Sequence, residues 1–183
     1  EGSTDLLYLV AAEVAKGNLL EGLAKVLTSG QLVALQKDDG GVRGIVAGET
    51  LRRLVARTLA QQFGEGLEKE CSPYQFALST RAGTECVSHM IRAATDMGPT
   101  LTILSVDEMS AYDLMRRQAM LSKLARRPKL RGLLPFVRMS YGQPSRYYWR
   151  DAEGNRHEVK QGEGGEQGGP LMPALFALGL HDT

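Results

Sequence analysis

The sequence has little of what marks several functional classes. Its 183 residues include two cysteines, Cys71 and Cys86, and three scattered histidines, His89, His157 and His181. None falls at metal-ligand spacing, which argues against a zinc site and reads the cysteines as two free intracellular thiols. No apolar run approaches the roughly 20 residues of a membrane span, so no membrane partner is expected. The N-terminus lacks a basic-then-apolar secretory pattern, and there is no internal repeat or low-complexity tract. The most telling absence is local. Between Leu114 and Arg150 there is not one Asp or Glu, while ten cations stand there: Arg116, Arg117, Lys123, Arg126, Arg127, Lys129, Arg131, Arg138, Arg146 and Arg150. The other 146 residues carry 12 basic against 21 acidic groups, so a formal net charge of +1 hides a polarised chain.

What is present suits a globular chain, with 43% hydrophobic and 23% charged residues over the length of one domain or one lobe of a larger one. Apolar spacing predicts helices over 3–15 and 19–27, broken at Gly17. Short apolar runs over 31–36 and 42–47 flank Lys37-Asp38-Asp39-Gly40-Gly41, the chemistry of a tight hairpin loop. A helix follows over 49–63, with Leu51, Leu54, Val55, Leu59 and Phe63 on one face and Arg52, Arg53 and Arg57 largely off it. Residues 64–80 read as a loop and 82–96 as a helix. Leu101 to Val106 is a continuous apolar run ending at Asp107, the pattern of a central buried strand that delivers a carboxylate at its end. Helices are expected over 111–125 and 130–141, separated by Pro128. A second hairpin, 145–149 with 156–160, turns at Asp151 to Asn155. A glycine-rich loop over 162–169 leads into an apolar helix from Pro170 to near Thr183. The expected class is α+β, helices packed on an incomplete antiparallel sheet.

Four features bear on chemistry. A strand ending in Asp107 that turns within four residues into a helix leaves a carboxylate at a sheet edge, where a hard divalent cation can use it; the competing role is a helix cap. The run Gly164-Gly165-Glu166-Gln167-Gly168-Gly169-Pro170 lets the backbone approach a flat or charged ligand, or is an ordinary loop. Lys37 and Arg43 stand across the first hairpin loop, placed to grip one polyphosphate or else simply solvated. In the basic segment, Tyr141, Tyr147, Tyr148 and Trp149 are interleaved with cations, a pattern for stacking on bases while phosphates meet the charges.

In order along the chain, these segments resemble the reverse transcriptase domain of non-LTR retrotransposons and related retroelements. Leu32 to Lys37, Gly41 to Ile45 and the Leu51-Arg52-Arg53-Leu54-Val55 helix are similar to the fingers region of that family. Asp107 with Ala111-Tyr112-Asp113 resembles its first palm motif, and Gln167-Gly168-Gly169-Pro170-Leu171-Met172-Pro173 with Leu175-Phe176 resembles the next. The resemblance runs from about Gln31 to the end and implies a fingers-like region over 31–100 and a partial palm over 101–183, behind an N-terminal helical segment over 1–30 that the apolar spacing predicts. It implies a template-directed nucleotidyltransferase that extends a DNA primer on an RNA template by a two-metal mechanism. Asp107 is then a ligand of paired Mg2+ ions. Lys37 and Arg43 hold the deoxynucleoside triphosphate, Tyr112 lies under its sugar and excludes a 2′-hydroxyl, and Gln167 with Gly168 lines the nucleotide and template pocket. Arg116, Arg117, Lys123, Arg126, Arg127, Lys129 and Arg131 are the expected nucleic-acid contacts.

The sequence departs from the family's pattern in three places. Gly44 stands where proline is favoured, and Gly169 where aspartate is common. The motif that supplies the remaining metal carboxylates is expected beyond Thr183, so this chain alone supplies part of the metal site and needs the remainder of the palm and thumb. Glu108 and Asp113 are near in sequence, but the predicted turn aims them elsewhere. The resemblance further implies an intracellular protein, nuclear in a eukaryote. The alternative expectation is a degenerate, non-catalytic remnant that binds RNA or RNA–DNA through residues 114–150.

Overall fold

The apolar stripe expected over 49–63 continues well past its glycines. The structure, a computed structural model, describes residues 2–78, 80–98 and 100–181. In it α3 spans Thr50–Cys71, and Leu59, Phe63, Leu67 and Cys71 follow one another at four-residue spacing. Leu67 and Cys71 are fully buried. Gly64 and Gly66 each cost a helix about 1 kcal/mol relative to alanine, and burial of Leu67 alone offsets more than one of them at about 1.5–3 kcal/mol. The loop expected from residue 64 therefore starts only after Cys71. Glu49 caps the helix, its carboxylate accepting from the backbone N–H groups of Leu51 and Arg52 at 2.7 and 3.2 Å.

Around α3 gather α1 (Gly2–Ala15), α6 (Arg117–Arg126), a 3-10 turn (Pro128–Leu133), α7 (Leu134–Tyr141) and α8 (Met172–Leu180). Met120, Leu124, Leu130, Leu133, Val137, Met172, Leu175 and Leu178 have no exposed surface and form the centre of the core. The short α2 (Glu21–Leu27) joins this core through Leu27. α4 (Gly83–Met97) has no buried residue. The single helix expected over 111–125 is two, α5 (Ala111–Leu114) and α6, because the chain is extended at Met115 and Arg116. The end of the last expected helix, at Asp182 and Thr183, lies outside the described residues. No described helix is long and apolar enough to cross a membrane.

Both hairpins form, as β1 (Gly30–Gln36) with β2 (Val42–Gly48) and β3 (Ser145–Arg150) with β4 (Arg156–Gln161). They join into one four-stranded sheet in the order β2-β1-β3-β4. The join is parallel, pairing Gly30 with Tyr147 and Gln31 with Tyr148, so the sheet is mixed where an antiparallel one was expected. Gly40, at φ +81°, makes the turn of the first hairpin, where Lys37 N–H donates to the Gly41 carbonyl at 2.8 Å. In the second, Asp151 accepts from the Asn155 backbone at 2.7 Å and pairs with His157, a hydrogen bond that holds the carboxyl down at about 2.

The expected central strand is the principal correction. Residues 101–106 form no strand, and Leu101, Ile103, Leu104 and Val106 are 57, 51, 83 and 75% exposed. A largely apolar run reads as a buried strand only where neighbouring strands and covering layers exist to receive it, and this segment pairs with none of the four described strands.

Candidate functional site

Three separate stretches of chain meet beside the edge strand β2. The tip of the first hairpin brings Lys37, Val42 and Arg43. The segment before α5 brings Asp107, α5 itself brings Tyr112 and Asp113, and the glycine-rich loop brings Gln167. Together they line an open cleft of about 550 Å3. Five of the six residues expected to handle a nucleotide or a metal are thus neighbours, although up to 130 positions separate them in sequence. Gly168, the sixth, stands next to Gln167 and lines a smaller recess against Val46, Arg52 and Tyr141. Glu108 and Asp113, expected to point elsewhere, line the same cleft as Asp107. Asp113 accepts a long hydrogen bond from the Gln167 amide at 3.4 Å. The Tyr112 ring is half-buried and meets Phe176 edge-on, with centroids 5.2 Å apart, which fixes its orientation at the cleft wall.

Ser110 turns the chain into α5 with φ +53°, a left-handed conformation that costs a non-glycine residue about 1–3 kcal/mol and persists only where surrounding contacts enforce it. Those contacts come from the glycine-rich loop. The N–H groups of Gly164 and Gly165 donate to the carbonyls of Met115 and Tyr112, both at 2.8 Å. Gly164 has φ +69°, and a Cβ there would overlap the Asp113 carbonyl; one at Gly165 would overlap the Met172 sulfur. Here glycine is required by close approach, so this stretch is a packed strap rather than a flexible loop.

The strap is anchored by two buried groups that sequence patterning missed. Glu166 is 3% exposed and accepts from Arg52 at 2.8 and 3.1 Å, from the Tyr141 hydroxyl at 3.2 Å and from the Tyr147 hydroxyl at 3.3 Å. Burial opposes the charge on Arg52, but Glu166 outweighs it and holds the guanidinium protonated beyond its ordinary range. Burial first, and the Glu166 charge second, push the hydroxyls of Tyr141 and Tyr147 well above their usual value. The sequence pattern places Arg52 largely off the apolar face of α3. It lies on that face, one turn before Val55 and Ala56, and a cation at that phase was the available signal for a buried partner.

Arg117 is the second anchor. It is 4% exposed, and its guanidinium donates to the Gly164 carbonyl and the Gln143 carbonyl at 2.7 Å and to the Ser145 hydroxyl at 2.9 Å. Its own backbone N–H donates to Glu163 at 2.7 Å, which caps α6. This cation, expected on nucleic acid, is committed inside the protein. Lys123 donates to the His181 carbonyl, and Arg127 pairs with Glu70 at 3.2 Å; both are half-buried. Arg116, Arg126, Lys129 and Arg131 are exposed, with Arg131 also donating to the Ala125 carbonyl at 3.1 Å. Two of the interleaved aromatics, Tyr141 and Tyr147, are interior, which leaves Tyr148 and Trp149 at the surface.

Two cations, an exposed carboxylate, a fixed aromatic edge and an amide suit a ligand with a polyphosphate, a sugar and a base. For metal ions the fit is incomplete. Among the described residues no group of three or more His, Cys, Asp or Glu is gathered as a metal site, and a hard divalent ion takes about six oxygens. These residues alone do not furnish a two-ion centre. No protein-family model matches the chain, and no curated protein matches it.

Proposed function

We propose that the chain is the fingers and first palm portion of a retroelement RNA-directed DNA polymerase, acting on an RNA template, a DNA primer and deoxynucleoside triphosphates inside the cell. The observation that carries this reading is the single cleft lined by Lys37, Arg43, Asp107, Tyr112 and Gln167. Lys37 and Arg43 bind the triphosphate through charge-assisted hydrogen bonds. Tyr112, held edge-on by Phe176, blocks the space a ribose 2′-hydroxyl needs. Gln167 lies against the base, kept there by the strap that Glu166 and Arg117 anchor. Such chemistry asks the protein mainly to position charges and needs no general-base histidine. The reading carries a requirement for Mg2+, to which Asp107 contributes one ligand. Arg116, Arg126, Lys129 and Arg131 meet backbone phosphates of the duplex.

The test is Mg2+-dependent primer extension on an RNA template by the polymerase that contains this segment. Asp107→Ala is expected to abolish extension, and full activity in that variant overturns the assignment. The second reading, an RNA-binding remnant without catalysis, is favoured by exposed cations beside an incomplete set of metal ligands. It is the conclusion if the segment binds RNA with an affinity that falls steeply with salt and no polymerase containing it extends a primer.

A further inference from the structure

The four-stranded sheet carries a second cationic surface toward the edge opposite the one that borders the cleft. Cross-strand partners share a face, and β3 and β4 pair Arg146 with Lys160, Tyr148 with Glu158, and Arg150 with Arg156. The alternate residues Ser145 and Tyr147 are buried on the opposite face. The outward face therefore presents four cations and one carboxylate. Glu158 is already paired with Arg146 at 3.2 Å, which leaves a net excess of positive charge. Three of the four cations are arginines, and the two on each strand lie four residues apart, about 13–14 Å. Arg156 lies over the Tyr148 ring, 3.8 Å from its centroid, so a flat cation and a flat ring are stacked at the middle of the patch. At the end of the strands a recess of about 310 Å3 adjoins it, lined by Gln31, Tyr148, Trp149, Arg150 and Arg156, with one acid, Glu49, whose carboxylate is committed to capping α3. Its size is that of a small-ligand pocket, and it offers an amide, two guanidinium groups and the Tyr148 ring, the Trp149 ring being stacked on His157.

We infer that this outward face of β3 and β4 is a track for single-stranded nucleic acid, with Arg146, Arg150, Arg156 and Lys160 on the phosphates and a base held at the Tyr148–Arg156 stack. Charge excess alone attracts any polyanion; the stacked ring, the guanidinium planes and the adjoining recess favour a chain of flat bases over an acidic peptide or a lipid headgroup. The track is not the cleft. β2, which borders the cleft, and β4 are opposite edges of the sheet, three strand spacings or about 14 Å apart. Arg146, Arg150 and Tyr148 belong to the acid-free segment 114–150, whereas Arg156 and Lys160 lie outside it and join them only through the pairing of β4 with β3. The inference deepens the polymerase reading and rests on it for the choice of nucleic acid; a track here holds template outside the cleft.

The experiment is fluorescence anisotropy of a labelled single-stranded RNA 20-mer with the 183-residue chain, titrated across salt. Arg150→Ala with Arg156→Ala is expected to weaken binding at least tenfold and to flatten the slope of log affinity against log salt by about 1.4, or about 0.7 per phosphate contact on a single strand. Tyr148→Ala is expected to weaken binding about fivefold or more with the salt slope unchanged, as loss of stacking without loss of charge. Thermal melts check that each variant is folded, and Arg150→Lys with Arg156→Lys, which keeps the charge, should retain the slope. Unchanged affinity and slope in the double alanine variant overturn the inference, as does the absence of RNA binding by the unsubstituted chain at low salt. Equal binding of polyglutamate or of phosphatidylserine vesicles under the same conditions also overturns it. Failure of the polymerase reading appears in a different measurement, deoxynucleotide binding by the unsubstituted chain.

Discussion

Glu166→Gln should destabilise the fold far more than a one-atom change suggests. The carboxylate is 3% exposed and receives two bonds from Arg52 and one each from the hydroxyls of Tyr141 and Tyr147, all within 3.3 Å. An amide of the same shape turns one of the two acceptor oxygens into a donor. It then faces donors on the same side and leaves the Arg52 charge, 5% exposed, without a counter-charge. Breaking a buried ion pair from one side costs about 3–5 kcal/mol, a large part of a net stability of about 5–15 kcal/mol. At about 2–4 °C per kcal/mol for a chain of this size, the melting temperature falls by about 6–20 °C. Calorimetry with a urea titration reads both quantities, and the urea slope should not change. In the double variant with Arg52→Met the charges leave together, so its loss should be well below the sum of the single losses. A Glu166→Gln loss under about 1 kcal/mol, or additive losses in the cycle, would refute the claim that this network anchors the strap.

Three further outcomes follow from the same region. Tyr141 and Tyr147 stay protonated in the folded chain well above the pH at which they ionise once unfolded, so their share of stability is complete below about pH 10 and is lost as pH rises beyond it. Each contributes about 1.4 kcal/mol per pH unit to that decline, and Tyr141→Phe with Tyr147→Phe should flatten the alkaline limb of a stability–pH curve. Arg117→Lys should be nearly as destabilising as Arg117→Ala in urea unfolding, because an ammonium cannot reach the Gly164, Gln143 and Ser145 oxygens in one plane; recovery by lysine would show that only charge matters there. Gly164→Ala should lower the melting temperature measurably, since it meets both a positive φ and the Asp113 carbonyl, whereas Gly162→Ala, with open space around it, should leave it within error.

Local signals in the sequence were reliable where local energies decide. The loop chemistry at Asp39-Gly40 and at Asp151 to Asn155 located both hairpins, and the apolar spacing located Val55 and Leu59 in the core, though Leu54 of the same stripe is exposed. The failures occurred where a distant partner decides. Residues 101–106 have the composition of a central strand, but a strand exists only with neighbours to pair with. Gly64 and Gly66 looked like breaks, yet the burial of Leu67 and Cys71 carries the helix through them. The acids at Glu70, Glu163 and Glu166 had no role in any periodic pattern; each answers an arginine, or an arginine's backbone, 46 to 114 positions away. The same holds for the basic segment. Its lack of acids was visible at once, but the division between Arg117, locked inside, and Arg116, Arg126, Lys129 and Arg131, outside, depends on the tertiary fold. The grouping of Lys37, Arg43, Asp107, Tyr112 and Gln167 was anticipated only through the order of motifs along the chain.

The central claim is that this cleft takes a deoxynucleoside triphosphate, and isothermal titration of the chain with dTTP in the presence of Mg2+ tests it most directly. Saturable binding of dTTP in preference to UTP is expected, weakened about tenfold or more by Lys37→Ala or Arg43→Ala, as loss of a charge-assisted hydrogen bond requires, with the preference over UTP lost in Tyr112→Ala. No binding by the unsubstituted chain, or equal binding by the Lys37 and Arg43 variants, would contradict it.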